Sequence, residues 1–128
     1  MNEQIRLKSY LKTEQQIFDA VCKHLAKQKT RSINISGCVY YDKDSGNRCA
    51  IGGIMPIESA KLTEQKYSGE NIYGVSHSVP LENVDLLEDL QVAHNSNKTL
   101  LELKNELLGI ARRYNLDSSA VELIKEWS

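Results

Sequence analysis

From Thr13 onward the apolar residues Ile17, Phe18, Val21, Cys22 and Leu25 fall at i, i+1, i+4, i+5 and i+8, one face of an amphipathic helix. Thr13 followed by Gln16 reads as a capping box, in which each side chain satisfies a backbone N–H of the opening turn. Lys23, His24, Lys27 and Lys29 gather toward the other end, where positive charge meets the negative pole of the helix dipole. The period then changes. Ile33 and Ile35 alternate with Ser32, Asn34 and Ser36, which predicts a half-buried strand that Gly37 interrupts. Two further apolar segments, 38–41 and 48–51, flank Asp42-Lys43-Asp44-Ser45-Gly46-Asn47, a run of turn formers with Gly46 available for positive φ. They predict two antiparallel strands joined by a six-residue connection.

Gly52-Gly53 permits a tight turn or a close backbone approach, and Pro56 is placed to open a short helix carried by residues 57–62. Residues 65–80, with Gly69, Gly74 and Pro80, read as a loop or short β segment. Three helices follow. One runs from about Leu81 to His94 and turns Leu86, Leu87, Leu90, Ala93 and His94 inward. Its acidic residues Glu82, Asp85, Glu88 and Asp89 lie opposite and read as a solvated face. The next opens at Thr99, with Glu102 as partner in a second capping box, and presents Leu100, Leu103, Leu107, Leu108, Ala111 and Tyr114. The last follows Asp117 and Ser118 and presents Val121, Ile124 and Trp127. The expectation is an α+β fold: a small antiparallel sheet with an N-terminal helix and a helical C-terminal half, in a single domain over 1–128.

Composition narrows the function classes. A chain of 128 residues has room for one hydrophobic core. Its 16 basic and 17 acidic residues nearly cancel, which argues against nucleic acid as a partner. No apolar run approaches the roughly 20 residues that span a bilayer, so no membrane partner is expected. The first residues lack the apolar stretch of a signal peptide, which places the chain in the cytoplasm, where Cys22, Cys38 and Cys49 are expected as free thiols.

The most distinctive stretch runs from Cys38-Val39-Tyr40-Tyr41 through Arg48-Cys49-Ala50-Ile51-Gly52-Gly53-Ile54-Met55-Pro56. With Leu25, Gln28, Arg31 and Ser32 before it, Gly46 within it, and Leu90, Gln91 and His94 after it, the pattern resembles a group of small phage and prophage proteins. Where relatives often carry another Cys after the first glycine, this chain has Gly53. The resemblance implies a phage-type origin and a fold, with residence in the host cytoplasm. It implies no particular reaction.

Four kinds of chemistry are open to these residues. Cys38, Cys49, His77 and His94 offer a thiolate and imidazole set for zinc, although no C-x-x-C knuckle is present. Cys49 with His94 as base and Arg48 beside it would make an activated thiol. Gly52-Gly53 before Pro56 would expose backbone N–H groups to an anion, next to a basic patch of Lys23, Lys27, Lys29, Arg31 and Arg48. Tyr40, Tyr41, Tyr67 and Tyr73 would supply an interaction surface, since adjacent strand residues such as Tyr40 and Tyr41 cannot both face inward. No complete catalytic motif is present, and Arg31, Tyr40, Arg48, Gly52, Gly53 and His94 are the expected ligand-binding residues. The function these features predict is a non-catalytic phage accessory protein. It would bind and block a host factor, such as a defence protein, or sequester a small anionic signalling ligand. The alternative is a small Cys/His metalloprotein or thiol-dependent enzyme. Pairing of exposed sheet edges would give a homodimer.

Overall fold

Helix α1 (Glu14–Gln28) forms where its period and cap predict. In the computed structural model, which describes residues 4–34 and 37–128, Thr13 Oγ1 accepts from Gln16 N at 3.1 Å. Gln16 Oε1 accepts in return from Thr13 N at 3.0 Å, so the capping box is complete. Ile17, Phe18, Val21, Cys22 and Leu25 are all buried. The helix stops at Lys29, whose φ of 70° is left-handed and whose N–H bonds Leu25 O at 2.9 Å.

The sheet is much smaller than expected. Strands β1 (Ile33–Asn34) and β2 (Gly37–Cys38) pair antiparallel, with Ile33 opposite Cys38 and Asn34 opposite Gly37. Both residues of β1 are exposed rather than alternating, and Ile35 and Ser36 of the expected strand lie outside the described residues. Segments 38–41 and 48–51 do come together, through Cys49 N to Val39 O (3.0 Å) and Asp42 N to Asn47 O (2.8 Å), and Gly46 takes the predicted positive φ of 78°. No strand forms at 48–51.

The physical reason is that helix side chains take the polar backbone groups a ladder would have used. The Gln28 amide accepts from Arg48 N at 2.7 Å and donates to Arg48 O at 2.8 Å. Glu64 Oε1 accepts from Tyr40 N at 2.8 Å, and Gln91 Oε1 accepts from Ile51 N at 3.3 Å. Buried backbone groups must find partners, but the partners need not be another strand.

A 3₁₀ turn at Gly52–Ile54 leads through Pro56 into α2 (Ile57–Tyr67), which runs past its expected end at Leu62. Pro56 is the residue preceding this helix, not its first. The segment expected to be loop or strand contains α3 (Ile72–Ser76), capped by Asn71 Oδ1 accepting from Gly74 N at 2.8 Å. α4 (Val84–Ser96) and α5 (Leu100–Arg113) follow as their periods predict, with Thr99 Oγ1 accepting from Glu102 N at 3.2 Å.

The acidic face of α4 is engaged rather than simply solvated. Glu88 accepts from Ile72 N at 3.0 Å, and Asp85 from the Tyr73 hydroxyl at 2.7 Å. Asp89 accepts from Arg113 and from the Tyr114 hydroxyl, both at 2.7 Å. These bonds fasten α3 and α5 to α4.

The expected last helix is instead a 3₁₀ turn, Ser119–Leu123, followed by extended chain. Val121, Ile124 and Trp127 are nevertheless all buried, the first from within the turn and the other two from the extended chain after it. The extended end lies against the residues after α1, with Ser128 N bonding Lys29 O at 3.1 Å and Arg31 N bonding Ser128 O at 2.9 Å. The result is a mainly helical α+β fold whose core joins α1, the 49–55 segment, α4 and α5. Among the described residues no helix is long and apolar enough to cross a membrane.

Candidate functional site

The strongest concentration of one charge begins on α1. Ala20, Lys23, His24 and Lys27 lie at i, i+3, i+4 and i+7, a single stripe beside the buried face. Opposite them stand Arg48, Gly53 and Ile54, and the segment before α1 closes the third side with Lys8 and Tyr10. Together these residues line a concavity of about 200 Å³. Lys8 is held there by its backbone N–H, which bonds Ile54 O at 3.0 Å.

Glycine is required at the bottom of this pocket. A Cβ on Gly53 would sit 2.1 Å from His24 Cδ2, and one on Gly52 would sit 2.2 Å from the carbonyl oxygen of Tyr40. The pair therefore serves close packing of the 3₁₀ turn against α1 and residue 40. It does not form an open phosphate-binding loop, since both glycines are buried.

His24 Nε2 donates to Arg48 O at 2.9 Å. Burial lowers the His24 pKa below its ordinary value, and the charges of Arg48 and Lys8 push in the same direction. Arg48 Nη1 reaches the carbonyl oxygens of Gly52 and Met55, each at 3.4 Å, which spans the 3₁₀ turn and fixes the guanidinium at the pocket wall. Among the described residues no acidic side chain lines the pocket. The ion pairs of the described residues use Lys29, Lys61, Lys104 and Arg113, so Lys8, Lys23, Lys27 and Arg48 have no carboxylate partner among the described residues.

A larger concavity of about 690 Å³ lies on another side, between β1, residues 39–44 and α2. Its charges are mixed: Asp42, Asp44 and Glu64 face Lys43 and Lys61. Lys61 Nζ stands 5.3 Å from the centre of the Tyr41 ring, a cation–π contact, and Glu64 already holds Tyr40 N. Size favours this cleft, but convergent unpaired charge favours the smaller one.

The other predicted residues sort into two neighbouring clusters. Cys38 and Cys49 are side by side and buried, as the expected hairpin implied. Gln91 Nε2 donates to Cys38 Sγ, and Gly52 N bonds Cys49 Sγ at 3.4 Å. Burial, reinforced by the adjacent Cys49, pushes the Cys38 thiol far up, while burial and Asp19 push the Cys22 thiol up to about 12. Tyr40 is fully buried behind this pair and donates its hydroxyl to Glu70 O at 2.7 Å.

His94 belongs to the second cluster. Its Nε2 accepts from Ser32 N at 2.9 Å, and its Nδ1 lies 2.6 Å from Asn95 Oδ1, so the proton sits on Nδ1. Trp127 packs edge-on at 5.7 Å between ring centres. Burial drives the His94 pKa down to about 4, with the charges of His24 and Arg31 adding to the effect. Both ring nitrogens are committed, so His94 does not serve Cys49 as a base in this arrangement. Arg31 stands beside it, donating to Asn95 O at 3.3 Å. His77 is exposed at the end of α3. The expected zinc set therefore does not converge, and among the described residues no three His, Cys, Asp or Glu side chains group to hold a metal ion. Of the expected surface tyrosines, Tyr40 is interior, Tyr41 and Tyr67 are half-buried, and Tyr73 is exposed but bonded to Asp85.

Of the six expected ligand residues, Arg48 and Gly53 thus line the basic pocket, Gly52 and Tyr40 lie behind it, and Arg31 and His94 stand in the adjoining cluster. Lys8, Tyr10 and His24 were not foreseen there. For His24 the signal is present in the 20-23-24-27 spacing; for Lys8 and Tyr10 no period announces their position. No family model matches the chain, and neither curated proteins nor solved structures yield a match to it.

Proposed function

We propose that this chain is a non-catalytic accessory protein that sequesters a small anionic ligand in the basic pocket between α1 and the Gly52–Ile54 turn. The observation that carries this reading is the convergence of Lys8, Lys23, Lys27 and Arg48 on one small concavity that, among the described residues, no acidic side chain lines. In a chain whose total charge is close to zero, four like charges in one place raise the local concentration of anions and leave a binding free energy to be recovered. The resemblance of the Cys38–Pro56 stretch to phage proteins supports a setting in the host cytoplasm, with a signalling metabolite of the host as the ligand. The thiol-enzyme and zinc alternatives have less support, because Cys38 and Cys49 are enclosed by Gln91 and Gly52 and both His94 nitrogens are taken.

The test is titration with inorganic phosphate and pyrophosphate at low ionic strength, read by calorimetry and by thermal shift. Binding should raise Tm, weaken steeply with added salt, and fall at least tenfold in K23E/K27E, whose exposed side chains carry no structural bond. Absence of binding by phosphate, pyrophosphate and sulfate alike would overturn the reading.

A further inference from the structure

The pocket is too small to enclose a drug-sized molecule, for which roughly 300 Å³ or more is usual. At about 200 Å³ it admits a compact charged group, and the rest of any larger ligand must lie across its rim. What stands at that rim decides the ligand class.

The rim carries Tyr10. This residue lines the pocket beside Lys8 yet is 60% exposed, the most open of the chain's large aromatic side chains among the described residues. The main chain that carries it is set by the turn that precedes α1, where Leu11 N bonds Lys8 O at 3.0 Å and Leu11 is buried. An exposed aromatic ring at the edge of a cationic pocket is a pairing by which proteins hold a phosphate with an attached base: charge takes the phosphate and the ring face stacks on the heterocycle. The remaining pocket wall is Ala20, His24, Gly53 and Ile54, with no competing acid among the described residues.

We infer that the ligand is a nucleotide, with its terminal phosphate among Lys8, Lys23, Lys27 and Arg48 and its base stacked on Tyr10. This inference rests on the anion-binding reading above but adds a separable claim, that the affinity has an aromatic component. The placement also accounts for the ring's exposure, since a tyrosine serving the core would be covered as Tyr40 is.

Calorimetry with inorganic phosphate, ribose 5-phosphate and AMP separates the two claims. AMP should bind about tenfold or more tightly than ribose 5-phosphate, the increment of one base stacked on an aromatic side chain. Tyr10→Ala should remove that difference while leaving phosphate affinity unchanged, and Tyr10→Phe should retain it. Circular dichroism of the two variants checks that they fold; the side chain's exposure makes both tolerable. Equal affinity for AMP and ribose 5-phosphate, or undiminished AMP binding in Tyr10→Ala, overturns the nucleotide inference and leaves the anion pocket standing. Failure of all three ligands to bind overturns both.

Discussion

The two buried glycines and the one in α5 differ in what surrounds them, and their substitutions should differ in sign. A methyl group at Gly52 meets the carbonyl of Tyr40 at 2.2 Å, backbone against backbone, and neither side can yield cheaply. Gly109 lies inside α5 with nothing within 4 Å of an added Cβ. Gly52→Ala should therefore cost about 3 kcal/mol through overpacking. Gly109→Ala should stabilise by about 0.5–1 kcal/mol through helix propensity and a less flexible unfolded chain. Urea titration of the two variants checks both signs; a neutral Gly52→Ala would mean that the close approach at residue 40 is not real. The same contrast shows what a sequence can signal. Gly46 announced itself through its turn-forming neighbours, whereas the demand at Gly52 and Gly53 comes from Tyr40 and His24, contacts distant in the chain.

At the level of elements, α1 and α5 were legible because apolar period and cap coincide in each, Thr13 with Gln16 and Thr99 with Glu102, and α4 was legible from its buried stripe alone. That no strand forms at 48–51 was not legible, because these residues have strand composition. Their backbone is claimed by Gln28 and Gln91, and that of Tyr40 in the facing segment by Glu64, polar residues that a periodicity argument assigns to helix surfaces. The terminal helix failed for a related reason: a spacing of three suits a 3₁₀ turn as well as an α-helix, and pairing of the chain end with residues 29–31 settles the choice. For the candidate site, the lysines of α1 and Arg48 were legible as a patch. That Arg31 belongs elsewhere was not, because the left-handed Lys29 redirects the chain just before it. Gln28 carries the prediction at this scale. Gln28→Ala leaves Arg48 N–H without its partner in a half-buried position, at a cost of about 2 kcal/mol. Hydrogen exchange of the Arg48 amide should lose its protection while amides within α5 keep theirs; retained protection would show that another group supports this segment.

For the whole molecule, His94 links folding to pH. It joins α4 to the Ser32 backbone and to Trp127 near the chain end, and it is held neutral. Its folded pKa, about 4, lies below the ordinary value of 6.5, so the unfolded chain takes up the proton first as pH falls. Stability is thus fully present above pH 6.5 and declines as pH drops toward 4, by about 3 kcal/mol from this residue alone. His24, also lowered, adds a decline of the same sign. Urea midpoints at pH 7, 5.5 and 4.5 should fall in that order, with a shallower dependence in His94→Gln. A midpoint that does not change between pH 7 and 4.5 would contradict the neutral, enclosed imidazole.

The stitching of residues 40, 48 and 51 to helices by Glu64, Gln28 and Gln91 has a consequence for crowded solutions. Backbone groups that a sheet would display along an open border are here sealed one at a time by carboxylate and amide tips. Another copy of the chain therefore finds these three groups already paired, and strand addition at residues 40, 48 and 51 would first have to break a bond to a helix.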